Sequence, residues 1–480
     1  MNKMTEDKSF QQKLEKFDIN QRSVIMTIML IAFVDILGYT LILPVLPSIQ
    51  TAFDIDYTLI GIIIASNAIA AMIFSPIWGR LSDKYGRKPM LLLSQGGTLI
   101  SFLILATSPS IEIILFSRIL DGIFGGQIPI IRALITDVTD EKNRGSIMGK
   151  LMSAFIFGMI IGPVLGGFLG TIDWRLTAMT GVIFSCVSIL LTVFLLIETM
   201  PRERIKALNE MREQQLKVKG QKERLLTYTF VSLLLIFFLI DFAHNNYSIS
   251  IIFILNERGF NVIFTGVLLM FTGLIFFIVS SYCYQPLYNR IGEKKLTILG
   301  FGFVIISFLF YPFLSEAWMF FAFVIPFVFG LALLMPTFQM KVSFAAPETK
   351  QGEAAGWLTN IQSITAIIAP ILVTTYLGMQ NYQYLMIGLT TSIVLGIALI
   401  ISLIGYKKKE EKVSPMEAMM KIGEILKKKG VSEEEMMDLM GNLGGTSMIS
   451  ILKKLGDIES ISKEDVLRIM KGLGGKINDK

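Results

Sequence analysis

Long apolar runs, divided by short polar loops, restrict this chain to very few folds. Twelve such runs can be counted, at about 24–46, 58–78, 89–107, 111–134, 146–170, 176–197, 227–255, 262–284, 295–315, 317–340, 354–378 and 383–405. About 20 apolar residues in helical form cross the roughly 30 Å hydrocarbon core of a bilayer. Irregular backbone facing lipid would leave its peptide groups without hydrogen bonds, so the runs are expected to be helices. Composition agrees: 53% of the residues are hydrophobic, 17% are charged, and mean hydropathy is +0.62. A soluble protein carries nearer 25% charge. The first 22 residues are polar and lack the apolar core and cleavage site of a signal peptide, so the first run is read as a retained helix.

The membrane region is also written twice. Asp35 and Asp241 lie 206 positions apart, as do Gly86 and Gly292; Gly145, Gly149 and Pro163 recur 207 positions later as Gly352, Gly356 and Pro370. A near-constant offset over so long a stretch predicts two pseudo-symmetric six-helix bundles, at 23–197 and 227–406. A cytoplasmic segment, 1–22, precedes them, a partly helical linker, 198–226, joins them, and a tail, 407–480, follows. Tandem repeats of this kind build secondary transporters, with the binding site at the repeat interface.

Loop charge sets the orientation. Arg80, Lys84, Arg87 and Lys88 follow the second run, the linker is rich in Lys and Arg, and Lys407, Lys408 and Lys409 follow the twelfth. Loops 47–57, 108–110 and 378–382 have neither residue. The basic side is cytoplasmic, which places both termini in the cytoplasm of a multi-pass plasma-membrane protein. The tail is charged and Met-rich, with helix-start signals at Ser432 and Ser462. It reads as a small amphipathic helical appendage, either packed on the cytoplasmic face or serving a partner the sequence does not identify. The net charge of +6 is confined to loops and does not point to nucleic acid.

Residues 79–89, Gly-Arg-Leu-Ser-Asp-Lys-Tyr-Gly-Arg-Lys-Pro, form a turn between runs two and three. Gly79 would let helices approach. Gly86 would supply a positive φ. Asp83 would accept from Arg80, Lys84, Arg87 or Lys88, or cap a neighbouring helix. The bland alternative is an ordinary topology-setting basic loop. The segment resembles the signature loop of the major facilitator superfamily. Three further stretches resemble drug/proton antiporter motifs: Asp35 to Pro47, Arg118-Ile-Leu-Asp-Gly122, and Gly158-Met-Ile-Ile-Gly-Pro-Val-Leu-Gly-Gly167. The stretch from Arg118 to Gly167 is most similar to the tetracycline/proton antiporter branch. The resemblance covers about 20–406. It implies that Asp83, Arg87 and Asp137, with Gly79, Gly86 and Lys88, act as a conformational charge latch. It also implies that Arg118 assists proton coupling, and that Gly158, Gly162, Pro163, Gly166 and Gly167 shape helix five. The second copy of the loop has Asn289 in place of the aspartate, so the latch is expected in one half only.

An ionisable group in mid-span costs about 2.5–3.5 kcal/mol on insertion scales and persists where it meets a cavity or a partner. Asp35 is therefore a candidate proton carrier, against the plainer role of an interhelical hydrogen bond. Arg118 and Asp121 are three apart and can pair on one helix face, as a coupling element or a self-neutralising structural pair. Asp241, His244 and Asn245 form a second cluster, with His244 the only histidine. Gln127, Asn246, Tyr247, Gln339, Asn360 and Gln362 are further candidates for cavity lining. The 35 phenylalanines would suit a greasy pocket, though most should be core or lipid-facing bulk. Cys186 and Cys283 are read as apolar fillers. Neither a metal site nor a cofactor is expected, and the phosphate-binding loop that would signal ATP is missing.

These readings converge on proton-coupled efflux of amphipathic small molecules by a monomer embedded in the bilayer, exchanging solute for protons. A proton-coupled uptake permease stays open. So does a non-transporting sensor or scaffold that works through the tail. An enzyme is not expected.

Overall fold

The computed structural model describes residues 21–139, 141–200, 227–346, 350–379 and 383–410. Most of the N-terminal segment, the linker from 201 and the tail from 411 lie outside these residues, with the helix starts expected at Ser432 and Ser462. The described residues are helical almost throughout. In chain order the helices are α1 (Gln21–Thr40), α2 (Leu46–Ala52), α3 (Tyr57–Tyr85), α4 (Arg87–Thr107), α5 (Ile111–Phe124), α6 (Gln127–Val138) and α7 (Glu141–Gly170). They continue as α8 (Trp174–Leu195), α9 (Tyr228–Glu257), α10 (Val262–Ile278), α11 (Tyr284–Phe310), α12 (Ala317–Ala345), α13 (Gln351–Leu377) and α14 (Gln383–Glu410).

Eleven helical segments among the described residues are long and apolar enough to cross a membrane. Twelve runs were expected. Runs eight and nine are joined in one 52-residue helical stretch, Val262–Phe313, through a π-helical turn at Val279–Cys283. That stretch is interrupted at Gly292, whose φ of 78° and ψ of 164° are not helical. Other departures have local causes. The first run breaks after Thr40 at Pro44 and Pro47, which cannot donate to a continuing helix. The fourth run breaks at Gly125–Gly126, between α5 and α6. The expected turn at 79–89 is almost wholly helix: α3 continues to Tyr85 and α4 begins at Arg87, leaving Gly86 alone at φ 101° and ψ 153°. That region of backbone space is open essentially to glycine only.

The outer surface is apolar. Phe194, Tyr228, Phe313, Phe344 and Ile172 are each at least 70% exposed, as suits residues that meet lipid tails rather than water. Most phenylalanines that are buried form core. Phe323 and Phe327 stack at 5.5 Å, and Tyr247 packs 4.4 Å from Phe327. Tyr247, expected at a cavity, is thus a core residue whose hydroxyl meets Thr272.

Between the helices before the linker and those after it, the most extensive contacts are those of α7 on α10 and of α3 on α13. Glycines permit both. A Cβ on Gly61 of α3 would fall 2.0 Å from Thr374 Oγ1, and one on Gly167 of α7 would fall 2.7 Å from the Val262 carbonyl oxygen. At one end of the molecule Glu257 accepts hydrogen bonds from Tyr57 of α3 and from Tyr384.

Candidate functional site

A cavity of about 370 Å³ lies among α1, α3, α4, α5, α6 and α7 on one side and α13 on the other. Three expected residues line it: Asp35, Asp121 and Gln127. Gln362 lines it as well, from α13, whereas Asn360 and Gln339 do not. Residues the sequence did not single out complete the wall: Tyr39, Asn67, Thr98, Phe102, Thr359 and Ser363. The cavity surface is mainly apolar, although Phe102 and Phe155 are the only phenylalanines among its lining residues.

Asp35 is held from one side. Its Oδ1 accepts from the Ser188 hydroxyl of α8 at 2.5 Å, and Ser188 Oγ accepts from Gln95 Nε2 of α4 at 2.7 Å. The other carboxylate oxygen, Oδ2, is buried and has no hydrogen-bond partner among the described residues. A buried acceptor without a donor is costly and is uncommon outside functional sites. Here it belongs to a residue of the cavity wall, where a proton or a donor on a solute could satisfy it.

Asp121 is instead provided for. Its Oδ2 accepts from Asn67 Nδ2 at 2.9 Å and pairs with Arg118 Nη1 at 3.4 Å. Arg118 packs over the Phe102 ring at 5.4 Å, and its Nη2 is buried without a partner. The i, i+3 pairing expected from sequence is therefore present, with Asn67 as the third member. Gln127 donates to Thr98 Oγ1 at 3.1 Å.

The second-half cluster does not reach the cavity. Asp241 Oδ2 accepts from Thr365 of α13 and, at 3.1 Å, from Asn245 Nδ2. Thr365 is not among the α13 residues that line the cavity, which are Thr359, Gln362, Ser363 and Ala366. His244, expected on one helix face with Asp241, has its Nδ1 buried with no partner among the described residues, and Asn246 donates to Thr391. The spacing was right for a shared helix face, but Thr365 and Asn245 take the carboxylate.

The latch residues assemble around Arg87. Its guanidinium bridges Asp83 at 2.7 Å and Asp137 at 2.9 Å, and it donates to Ser82 Oγ at 2.7 Å. Arg87 is the partner Asp83 takes from the four expected bases. Glu198 caps the next helix, α4, accepting from the Arg87 and Lys88 backbone N–H groups at 3.0 Å each. The Lys88 ammonium goes to the Val193 carbonyl at 2.8 Å, and Thr199 donates to Asp137. Gly79 is not a point of close approach, since a Cβ there would meet Pro129 only at 4.0 Å.

The second half also carries an ion pair at its copy of the turn. Glu293 follows Gly292 as Arg87 follows Gly86, and Lys341 Nζ of α12 lies 2.8 Å from it. The polarity is reversed, with the acid at the turn and the base on the neighbouring helix. The substitution at Asn289 hid this, because the pairing moved to another position.

The glycines of helix five make a two-sided seam. A Cβ on Gly158, Gly162 or Gly166 would press on α1, at 3.0 Å from Phe33 O, 2.0 Å from Thr40 Oγ1 and 2.0 Å from Leu41 O respectively. Gly167 and Pro163 face α10, where a Cβ on Gly266 would lie 2.4 Å from the Pro163 carbonyl oxygen. Thr40 then donates to the Gly158 carbonyl at 3.2 Å. The stripe lets α7 lie against the helix that carries Asp35 and, on its other side, against a helix of the opposite half.

Known proteins share this sequence and fold. The chain is 28% identical over 351 residues to the tetracycline resistance protein, class B, of Escherichia coli, covering 72% of this chain and 86% of that protein. It is 26% identical over 397 residues to multidrug resistance protein 2 of Bacillus subtilis (strain 168), covering 80% and 97%. The crystal structure of a D-xylose–proton symporter superposes with a TM-score of 0.63 at 15% identity, over 78% of this chain and 96% of that one, which establishes a shared fold. The profile of the Major Facilitator Superfamily matches residues 28–370. With its helical fold, its apolar outer surface and its internal cavity, the chain is a multi-pass membrane transporter of the Major Facilitator Superfamily and not an enzyme.

Proposed function

We propose that this transporter exports amphipathic small molecules in exchange for protons, by alternating access. Asp35 is the observation that carries the reading: a carboxylate in the cavity wall with one oxygen held by Ser188 and the other unpartnered. A proton and a solute group can compete for that oxygen, which is the requirement for exchange. Asp121 is the weaker candidate because Arg118 and Asn67 already satisfy it. Similarity to tetracycline and multidrug resistance proteins supports efflux, and tetracycline is a reasonable first solute to try. A membrane potential contributes about 2.3 kcal/mol per charge per 100 mV, so one or two protons could drive substantial uphill export.

The same reading takes the break at Gly292 as a reversal of chain direction. At about 1.5 Å per residue, a 52-residue helix would span more than twice the hydrocarbon core. Twelve spans then form two six-helix bundles, and both termini lie on the cytoplasmic face of the plasma membrane. The protein works as a monomer. The α3–α13 and α7–α10 contacts and the Glu257 bridge are where one half rocks on the other.

Proteoliposomes with an inward-directed pH gradient test the function. With tetracycline, a lipophilic cation or a neutral hydrophobic compound loaded inside, wild type is expected to release protons into the lumen in exchange and Asp35→Asn is not. Proton movement that persists unchanged in folded Asp35→Asn would remove Asp35 from the mechanism. Wild-type silence toward every compound would overturn drug/proton antiport.

A further inference from the structure

One cation in the membrane region is not accounted for by the latch or by the Asp35 and Asp121 groups. Arg132 lies on α6, beside the lining residues Ile128 and Ile131. Arg87, Arg118 and Lys341 each have a carboxylate within 4 Å. Arg132 has none among the described residues, and its one hydrogen bond is from Nη1 to Thr359 Oγ1 at 3.3 Å. A guanidinium offers five donors, so most of its capacity is unused. An ionisable group inside a membrane span normally has a partner or a functional use.

The position of Thr359 gives the unused donors a direction. It lines the cavity from α13, and Gln362, Ser363 and Ala366 continue the same helix face at one-turn spacing. Arg132 is not itself a lining residue, but through Thr359 it meets the part of the wall that α13 forms, where Gln362 and Ser363 are neutral hydrogen-bonding groups. The Asp35 carboxylate stands on the α1 side. The cavity thus has an acidic wall and a basic edge, with Phe102, Phe155 and Ile131 supplying apolar surface.

We propose that Arg132 and Thr359 form an anion subsite, so that the transported solutes are amphipathic compounds bearing a carboxylate, enolate or similar acidic group. The carboxylate that Arg132 lacks in the protein is supplied by the solute. A planar guanidinium suits a carboxylate in bidentate fashion, and Thr359, whose own hydroxyl donates to the Ala355 carbonyl at 3.1 Å, orients that guanidinium by accepting from Nη1. This inference rests on the cavity being the solute site, but not on the direction of transport or on proton coupling.

Binding of three probes matched in size tests it: 2-naphthoate, 2-naphthamide and 2-naphthylmethylammonium. Each is measured by equilibrium dialysis against the full-length protein in phosphatidylcholine nanodiscs, with empty nanodiscs subtracted. Wild type is expected to bind naphthoate about tenfold or more tighter than the amide, the scale of a hydrogen-bonded charge pair. Arg132→Gln should erase that preference while amide binding holds, and Arg132→Lys should keep part of it. Thr359→Val, a mild change on one helix, should reduce the preference several-fold and covers the case in which Arg132→Gln fails to fold. Wild type without a preference for naphthoate, or a preference that survives Arg132→Gln or is untouched by Thr359→Val, overturns the subsite. Naphthoate binding as expected, with no proton release in proteoliposomes, would leave the subsite standing and remove the antiport reading. Proton release with cationic or neutral compounds alone, and no naphthoate preference, would do the reverse.

Discussion

Single side chains decide whether neighbouring helices can end and meet. Glu198 stands beyond the last turn of α8, yet it caps the first turn of α4 by accepting from two backbone N–H groups. Glu198→Ala is expected to cost about 0.5–2 kcal/mol, the usual range for losing an N-cap, and to lower the thermal midpoint of the detergent-solubilised protein. Gly166→Ala should cost at least as much, about 1–3 kcal/mol for overpacking, because a Cβ would meet the Leu41 carbonyl oxygen. Folded yield and thermal unfolding check both. Asp35 was legible in the sequence because a carboxylate in an apolar run is conspicuous. Ser188 and Gln95, which hold it, were not. Ser185, on the same helix, donates to its own backbone at Gly181, and nothing in the sequence separates the two serines. Arg132 was passed over for a related reason, since its approach to Thr359 of α13 is set by packing.

At the scale of the element, the charged stretch 79–89 looked like a loop because span length was judged by where apolar residues stop. A helix need not stop where lipid does. With water or ion pairs to receive its charged side chains, α3 runs on to Tyr85, and only Gly86 turns the chain. The matching Gly292 has φ 78°, so the repeat seen as sequence spacing is a repeat of backbone conformation. Alanine at either site should be strained by about 1–3 kcal/mol. Gly86→Ala is expected to be the more damaging, because its Cβ would also lie 2.7 Å from the Glu198 carboxylate, whereas Gly292 has open space around it. Comparing the thermal midpoints of the two variants checks the order. The seam glycines of α7 were legible as a motif. Which side each one faced was not, because that depends on how α1 and α10 are placed.

Across the molecule, two ion-paired clusters of opposite polarity stand at the two copies of the turn: Arg87 with Asp83 and Asp137, and Glu293 with Lys341. If each pins a turn to a neighbouring helix, Lys341→Glu should impair transport. The exchange Glu293→Lys with Lys341→Glu should restore much of it, with a coupling energy of about 0.5–3 kcal/mol from the double-mutant cycle. Transport rate and thermal stability read on the four proteins check this. At the end where Glu257 joins Tyr57 to Tyr384, Glu257→Gln keeps the shape and weakens the hydrogen bonds. It is expected to leave the fold intact and to change transport rate rather than solute affinity, which initial-rate measurements over a range of solute concentrations would show.

The sequence by itself determined that the chain is helical and membrane-embedded, that it is built on a repeat, and that it resembles drug exporters. Hydropathy, spacing and motif residues are properties of the chain written in order, and each needs only its own stretch to be recognised. The tertiary structure alone decided which polar groups share a cavity, that Asp241 is turned toward Thr365, that Glu198 caps a distant helix, and that Arg132 reaches α13. Those outcomes depend on which faces of separate helices are brought within about 3 Å of one another for a hydrogen bond. A polar residue looks the same in the sequence whether packing turns it toward a partner, a cavity or its own backbone.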